Sequence, residues 1–415
     1  RAHEHEYPNH HRGEWDGEED HQRGDHGMGR AFSKESPRAD ALIDPRLALI
    51  LGRAHGVWVL SIHSLTFHEF RALAREKLDR GHGRARQVYT QVMQGGCFEP
   101  ERFDLSEYSV NAWRENFHLD LLSVANVVEE EGELGTTAKA VLRTHDGLEL
   151  ECVSIPMGRG RHTLCVSSQV GCKMGCTFCE TGRMGLIRNL STAEIVGQVL
   201  VARHTLGWDV RNVVFMGMGE ALDNADALVQ AIRVLNDSSG LAIAQERLTV
   251  CTVGRVDGIA RLKQEGFKRV NLSVSLNAAN DELRDRIMPV NRKTPLSTLQ
   301  AALADYRPRP NFTLGVNYCL MPGLNDTRED ATAIAAFCEP IARKLVNVIP
   351  YNPGNQPLTR APTHDEVVRF VGWLKEDGLA VRMRITKGRT VMAACGQLGN
   401  VELREERRRL RLLGR

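Results

Sequence analysis

The sequence predicts an α/β protein built on an open barrel of six strand–helix units, with a small helical region in front and a short β-hairpin between the two. Three observations carry this. Short apolar strand segments alternate with amphipathic helical segments from residue 163 onward, and such alternation implies a parallel sheet with helices outside it. Six units suit an open barrel better than a closed eightfold one. Before them, two alternating runs flank the turn His145-Asp146-Gly147, which reads as a hairpin.

In chain order, residues 1–40 are polar and charged, with six histidines in the first 26 positions. This composition reads as a disordered tail, with a His-rich metal-binding segment as the competing reading. Met28 is a candidate start. Residues 41–135 read as a helical accessory domain, because Phe67, Phe70 and Leu73 share a helical face and 85–92 continues the pattern. Residues 136–160 form the hairpin, from runs at 139–143 and 148–155. Residues 161–400 form the core, with strands at 163–170, 212–216, 248–253, 270–276, 313–320 and 345–350. Helices are expected at 192–204, 225–237, 258–265, 296–306, 328–342 and 365–376. Ser191 with Glu194, Ser297 with Gln300, and Thr363 with Glu366 read as capping boxes. Residues 401–415 hold six arginines and read as a basic tail.

Charge is balanced, 54 basic against 52 acidic residues, so any nucleic-acid contact must come from local patches. No apolar run is long enough to span a membrane and no signal peptide is visible, which points to the cytoplasm. There most of the ten cysteines are expected reduced, and clustered ones should bind metal or do redox work.

Cys172, Cys176 and Cys179 lie together in Gly171-Cys-Lys-Met-Gly-Cys-Thr-Phe-Cys-Glu-Thr-Gly182, in the loop after the first core strand. Three thiolates in one short loop can hold three irons of a 4Fe–4S cube and leave the fourth open. Zinc is the competing reading, but structural zinc wants four ligands and no fitting pair follows. An open iron can bind a substrate or cofactor. In parallel sheets, function sits at the C-terminal ends of the strands, where this loop falls.

The Cys-x-x-x-Cys-x-x-Cys spacing resembles the radical S-adenosylmethionine superfamily. Cys165-Val-Ser-Ser-Gln-Val-Gly-Cys172, Met216-Gly-Met-Gly-Glu220 and Ala393-Ala-Cys-Gly-Gln397 together resemble the RlmN/Cfr family of RNA adenine methyltransferases, over residues 60 to 400. The resemblance implies a partial (β/α)6 radical-SAM barrel, a 4Fe–4S cluster on the three loop cysteines, and two S-adenosylmethionine molecules per turnover. It implies that Cys395 carries the methyl group, that Cys165 forms a disulfide with it to free the product, and that Glu151 removes the ring proton. Gly219, Glu220, Cys251, Ser275, Asn277 and Asn352 would line the cofactor pocket, Gly217 and Gly219 letting the backbone approach closely. Cys251 stands where the family usually has Ser, and Asn277 where it usually has His. Without the other motifs, Cys165 would read as a buried strand cysteine and Glu151 as an exposed strand carboxylate. Cys97, Cys152, Cys319 and Cys338 have no counterpart and read as structural.

Two ring positions stay open. RlmN enzymes methylate C2 of an adenosine in 23S rRNA, and some also a tRNA; Cfr enzymes methylate C8 of the same rRNA base. Glu220-Ala221-Leu222 and Cys179-Glu-Thr-Gly182 read more like Cfr, while the commoner housekeeping activity favours C2. A diverged member with another substrate, and a non-catalytic iron–sulfur or RNA-binding protein, are the further alternatives. The expected partners are 23S rRNA, tRNA for some members, and an electron donor such as flavodoxin, with the chain working as a monomer. Arg159, Arg161, Arg183 and Arg188 are candidate phosphate contacts, each also readable as a solvated surface charge.

Overall fold

The structure is a computed structural model that describes residues 51–54, 57–158 and 160–399. The segments 1–40 and 401–415 and Arg159 lie outside the described residues. Strands β1 (Leu51–Ala54) and β2 (Val57–Ser61) pair antiparallel. Helices α1 (Phe67–Lys77), α2 (Ala85–Gly95) and α3 (Glu107–Asn116) follow, and β3 (Phe117–His118) returns to lie parallel to β2. Thr66 and Glu69 form a capping box that starts α1. Phe70 is fully buried and sits 5.6, 5.7 and 5.1 Å from the rings of Tyr89, Trp113 and Phe117. This aromatic cluster ties α1, α2 and α3 together. Of the expected face, Phe67 and Phe70 are buried and Leu73 is partly buried.

The segment read as helical up to residue 135 also carries a long strand, β4 (Ser123–Glu130). None of its residues is buried, four being exposed and four half-buried, so it shows no clean inside–outside alternation in the sequence. β4 pairs antiparallel with β5 (Thr137–Arg143), β5 with β6 (Glu149–Pro156), and β6 with β7 (His162–Cys165). The expected hairpin is therefore the middle of a three-stranded antiparallel extension that joins the core sheet edge to edge.

The first core strand is shorter than 163–170. After β7 the chain leaves the ladder, and β8 (Gln169–Val170) pairs instead with β9 (Arg188–Asn189). The short helix α4 (Glu180–Met184) lies between these two strands. Helix α5 (Thr192–Leu200) starts at the Ser191–Glu194 capping box. Then strand and helix alternate: β10 (Val210–Phe215), α6 (Ala225–Asn236), β11 (Leu248–Thr252), α7 (Val256–Gln264), β12 (Asn271–Ser275), α8 (Asp281–Ile287), α9 (Leu296–Asp305), β13 (Leu314–Leu320), α10 (Arg328–Cys338), β14 (Lys344–Pro350), α11 (His364–Glu376) and β15 (Val381–Met383). Thr327 with Asp330 and Thr363 with Glu366 cap α10 and α11 as boxes. The expected box at Ser297 is absent, because α9 begins at Leu296 with Pro295 as its cap and Ser297 lies inside the first turn.

All ten strands from β4 to β7 and β10 to β15 form one sheet, in the order β15-β14-β13-β12-β11-β10-β7-β6-β5-β4. β7 and β10 to β14 are the six parallel strands of the expected open barrel; β15 adds a seventh. One interior row is polar. Asn317 Nδ2 donates to Cys251 Sγ at 3.2 Å, and Asn347 Nδ2 donates to Asn317 Oδ1 at 3.0 Å. Buried polar groups satisfy one another in this way when a lumen is not filled by apolar side chains. Among the described residues no helix is long and apolar enough to cross a membrane.

Candidate active site

The loop that carries Cys172, Cys176 and Cys179 is set by its neighbours. Gly171 has φ +75°, and a Cβ there would lie 2.0 Å from the Gly185 carbonyl oxygen; only glycine fits this approach. Cys172 N–H donates to the same carbonyl at 3.2 Å. Met174, Ala278, Leu283, Ile287, Met288, Met321 and Tyr351 pack around the thiols as a separate apolar cluster. Burial pushes the Cys172 thiol up to about 12 and raises those of Cys176 and Cys179.

Among the described residues no three acidic, His or Cys side chains close on a single metal ion. The three loop thiols instead line one side of a cavity of about 150 Å³. One thiolate per iron, around a cube, is the arrangement that an iron–sulfur cluster needs. Three soft donors, no fourth thiol in the loop and an apolar shell fit the cluster, and Glu220 and Ser275 line the same cavity.

Glu220 follows β10 and is 3% exposed. Its carboxylate accepts from Leu222 N–H at 3.2 Å and Val253 N–H at 2.8 Å. Burial pushes its carboxyl up to about 7, against the pull of these donors. The two glycines before it do more than open space. A Cβ on Gly217 would lie 2.7 Å from the Val166 carbonyl, and one on Gly219, at φ +100°, 2.6 Å from Gln169 Cβ. They let the end of β10 lie against the segment between β7 and β8.

The other expected cofactor residues divide. Cys251 and Ser275 line the same cavity, and burial pushes the Cys251 thiol up to about 12. Asn277 also lines it, but its backbone is left-handed at φ +56°. Its Oδ1 accepts from Cys319 N–H at 2.9 Å and its Nδ2 reaches Met288 Sδ at 3.4 Å. These contacts tie the end of β12 to Cys319 and Met288 while Asn277 stays on the cavity wall. Asn352 lines a second, larger cavity of about 500 Å³, not the first.

Cys165 ends β7 at 6% exposure and lines the second cavity. Burial raises its thiol well above the ordinary value, and neighbouring Cys395 pushes in the same direction. Cys395 lines both cavities, as do Met216 and Ile349, so it stands at their junction. Its surface faces the cavities, so lost hydration raises its thiol while the Arg384 guanidinium lowers it. All ten cysteines are free thiols. Glu151, on β6, lines neither cavity. It is 6% exposed, and its Oε2 accepts from Gly399 N–H at 2.7 Å.

Two of the expected phosphate contacts are occupied. Arg188 pairs with Asp146 and Glu194 at 2.7 Å each. Arg183 pairs with Glu180 at 3.2 Å and donates to the Thr177 carbonyl. Arg247, Arg382 and Arg384 line the second cavity instead. None of them has a carboxylate partner among the described residues. Four of the seven exposed large apolar side chains described also line that cavity: Leu134, Met157, Met383 and Ile385.

Sequence reasoning missed the supporting polar residues. Arg284, 1% exposed, donates to the Leu276, Ser275 and Val253 carbonyls and so fixes the ends of β11 and β12. Gln198 bridges Ser167 N–H at 2.8 Å and Ser167 C=O at 2.9 Å. A lone Arg or Gln on a helix gives no motif; apolar neighbours on the same face are the only available hint.

Comparison with known proteins gives a consistent picture. Residues 166–335 match the family model described as the radical SAM superfamily. The chain is 45% identical over 273 residues to a protein of Protochlamydia amoebophila named probable dual-specificity RNA methyltransferase RlmN 1, covering 66% of this chain and 76% of that one. It is 39% identical over 336 residues to the dual-specificity RNA methyltransferase RlmN of Pelobacter propionicus, covering 78% and 93%. Among solved structures, the crystal structure of a radical SAM methyltransferase from Sphaerobacter thermophilus superposes with a TM-score of 0.75 at 33% identity, covering 81% of this chain and 98% of that one.

Proposed function

Since the chain belongs to the RlmN family of radical SAM RNA methyltransferases, we propose that it methylates C2 of an adenosine in 23S rRNA, and of a tRNA, through a methylated Cys395. The observation that carries this reading is the position of Cys395 at the junction of two cavities, one lined by the loop thiols and the other by Cys165. A methyl carrier must face both its source and its acceptor.

In this reading Cys172, Cys176 and Cys179 hold the 4Fe–4S cluster, and Glu220 with Ser275 and Cys251 holds S-adenosylmethionine. Bound there, the cluster and S-adenosylmethionine supply a methyl group and a 5′-deoxyadenosyl radical. An electron donor such as flavodoxin supplies the reducing electron. Cys395 Sγ carries the methyl group, which would lose one hydrogen atom to the 5′-deoxyadenosyl radical before its carbon joins the adenine ring, the odd electron on the ring then passing back to the redox centre. By the same resemblance Glu151 would take the proton from the ring carbon, and because it lines neither cavity the ring must pass beyond the second cavity's lining to meet it. Cys165, as thiolate, attacks Cys395 Sγ; the two sulfurs join, the electron pair of the broken sulfur–carbon bond passes to the methylene on the ring, and that carbon takes up a proton to become the methyl group. The ring enters through the second cavity, extruded from its stack. Arg247 and Arg382 meet the flanking phosphates, and the exposed apolar rim meets neighbouring bases.

The name dual-specificity carried by the relatives supports two RNA substrates. Glu220-Ala221-Leu222 favours the C8 alternative. Mass spectrometry of adenosines from rRNA and tRNA, incubated anaerobically with the reconstituted protein, reductant and S-adenosylmethionine, tests the reading. 2-Methyladenosine is the expected product. 8-Methyladenosine would move the activity to the other ring carbon, and an unmodified digest would overturn it.

A further inference from the structure

Lys139 lies on β5, and Glu151 faces Val141 across the β5–β6 ladder. Successive side chains alternate faces, so Lys139 and Glu151 project on one side, diagonal to each other. Lys139 Nζ lies 2.9 Å from Glu151 Oε1. The same ammonium donates to the Met392 carbonyl at 3.2 Å, while Glu151 Oε2 accepts from Gly399 N–H at 2.7 Å. Met392 and Gly399 flank Cys395, one before it and one after. Met392 has φ +53°, a conformation that persists in a non-glycine residue when its surroundings fix it. Lys139 is 9% exposed and Glu151 6%; a lysine is buried this deeply only when paired.

We propose that Lys139 is a positioning residue: its ammonium holds the Glu151 carboxylate and the Cys395 segment in one register, so that base and methyl carrier meet the same adenine ring. This rests on the function proposed above. Each Glu151 oxygen spends one lone pair on its partner and keeps a second, so the carboxylate stays able to take a proton while it is held. Removing the ammonium leaves a buried carboxylate without its counter-charge and frees the Met392 carbonyl. The proton would then be removed slowly, and RNA would stay attached to Cys395 for longer.

The test uses the full chain with Lys139→Met, and Lys139→Gln should the first not fold. In the unloaded protein, amide hydrogen exchange over 392–399 should speed up while β10 to β14 exchange as in wild type. In the reconstituted protein, RNA left attached to Cys395 per methylated RNA released should rise about 10- to 100-fold, part of what a positioned base contributes. Lys139→Arg, which keeps the charge, should bring both readouts back toward wild type. Unchanged exchange and an unchanged ratio would overturn the proposal. So would a parallel fall of both products, or failure of both neutral variants to fold, since either makes Lys139 a packing residue. A wild-type protein that methylates no RNA would sink the proposed function instead; the exchange measurement would still decide the role of Lys139.

Discussion

Cys395 and Cys165 act at different times in the proposed sequence, so their variants should fail differently. Cys395→Ala has no sulfur to carry a methyl, so neither product nor cross-link should form. Cys165→Ala keeps the carrier but lacks the thiol that breaks the sulfur–carbon bond. RNA should stay attached to Cys395 and run as a slow band on a denaturing gel with labelled RNA. Normal turnover by Cys165→Ala, or a band from Cys395→Ala, would rule the methyl-cysteine route out. The free thiols at both positions are the state from which such a cycle starts. Both roles were legible in the sequence because short fixed motifs surround them. The partners of Glu151 were not: Lys139 and Gly399 reach it from 12 residues before and 248 after, and nothing in a linear pattern joins them.

The antiparallel extension β4–β6 serves as the seat of the Cys395 segment. Glu130 on β4 accepts from Gly388 and Thr390 N–H at 2.7 Å each. Lys387 donates to the Pro156 carbonyl at the end of β6, and Lys139 and Glu151 hold the segment further along. Near the start of the described residues, the turn after β2 buries His63 completely. Its Nδ1 is 3.1 Å from Ser61 Oγ, and its Nε2 has no partner among the described residues. Burial, helped by His118, pushes its pKa down from 6.5 to about 4. Above pH 6.5 both folded and unfolded chains hold it neutral. As the pH falls through 6.5 toward 4, the unfolded chain takes up the proton first. Stability should be lost across that window, by at most about 1.4 kcal/mol per pH unit. Melting curves between pH 7 and pH 4 should show a steeper fall for wild type than for His63→Leu. Parallel curves would mean that His63 is not the titrating group.

Balanced overall charge, net +2, hides a local asymmetry. Arg188 and Arg183 are neutralised by carboxylates, whereas Arg247, Arg382 and Arg384 line the cavity that Cys165 and Cys395 also line. RNA bound there should release counterions in proportion to the phosphates met. Arg247→Ala with Arg382→Ala should weaken RNA binding across sequences. It should also flatten the plot of log affinity against log salt, by about 0.7 per lost single-strand contact. A slope equal to wild type would place the phosphates elsewhere. Arg384 is left out of this pair because it also acts on the Cys395 thiol.

The sequence by itself determined the elements whose signal is local. Six parallel strands with their helices, the capping boxes at Ser191 and Thr363, and the loop of Cys172, Cys176 and Cys179 each depend on residues a few positions apart. β4 escaped because an exposed strand at a sheet edge need not alternate, and the Ser297 box failed because Pro295 starts the helix earlier. Tertiary structure alone decided which charges are free. Arg183 and Arg188 look like phosphate contacts until their carboxylates are seen, and Arg382 looks ordinary until no carboxylate is found beside it among the described residues. It alone decided that Asn277 lines the cavity of Glu220 in a left-handed conformation and that Asn352 lines a different one. It also brought Lys139, Glu151 and Gly399 together. Hydrogen bonds and ion pairs act over about 3 Å, and only the folded chain sets distances on that scale between residues far apart in sequence.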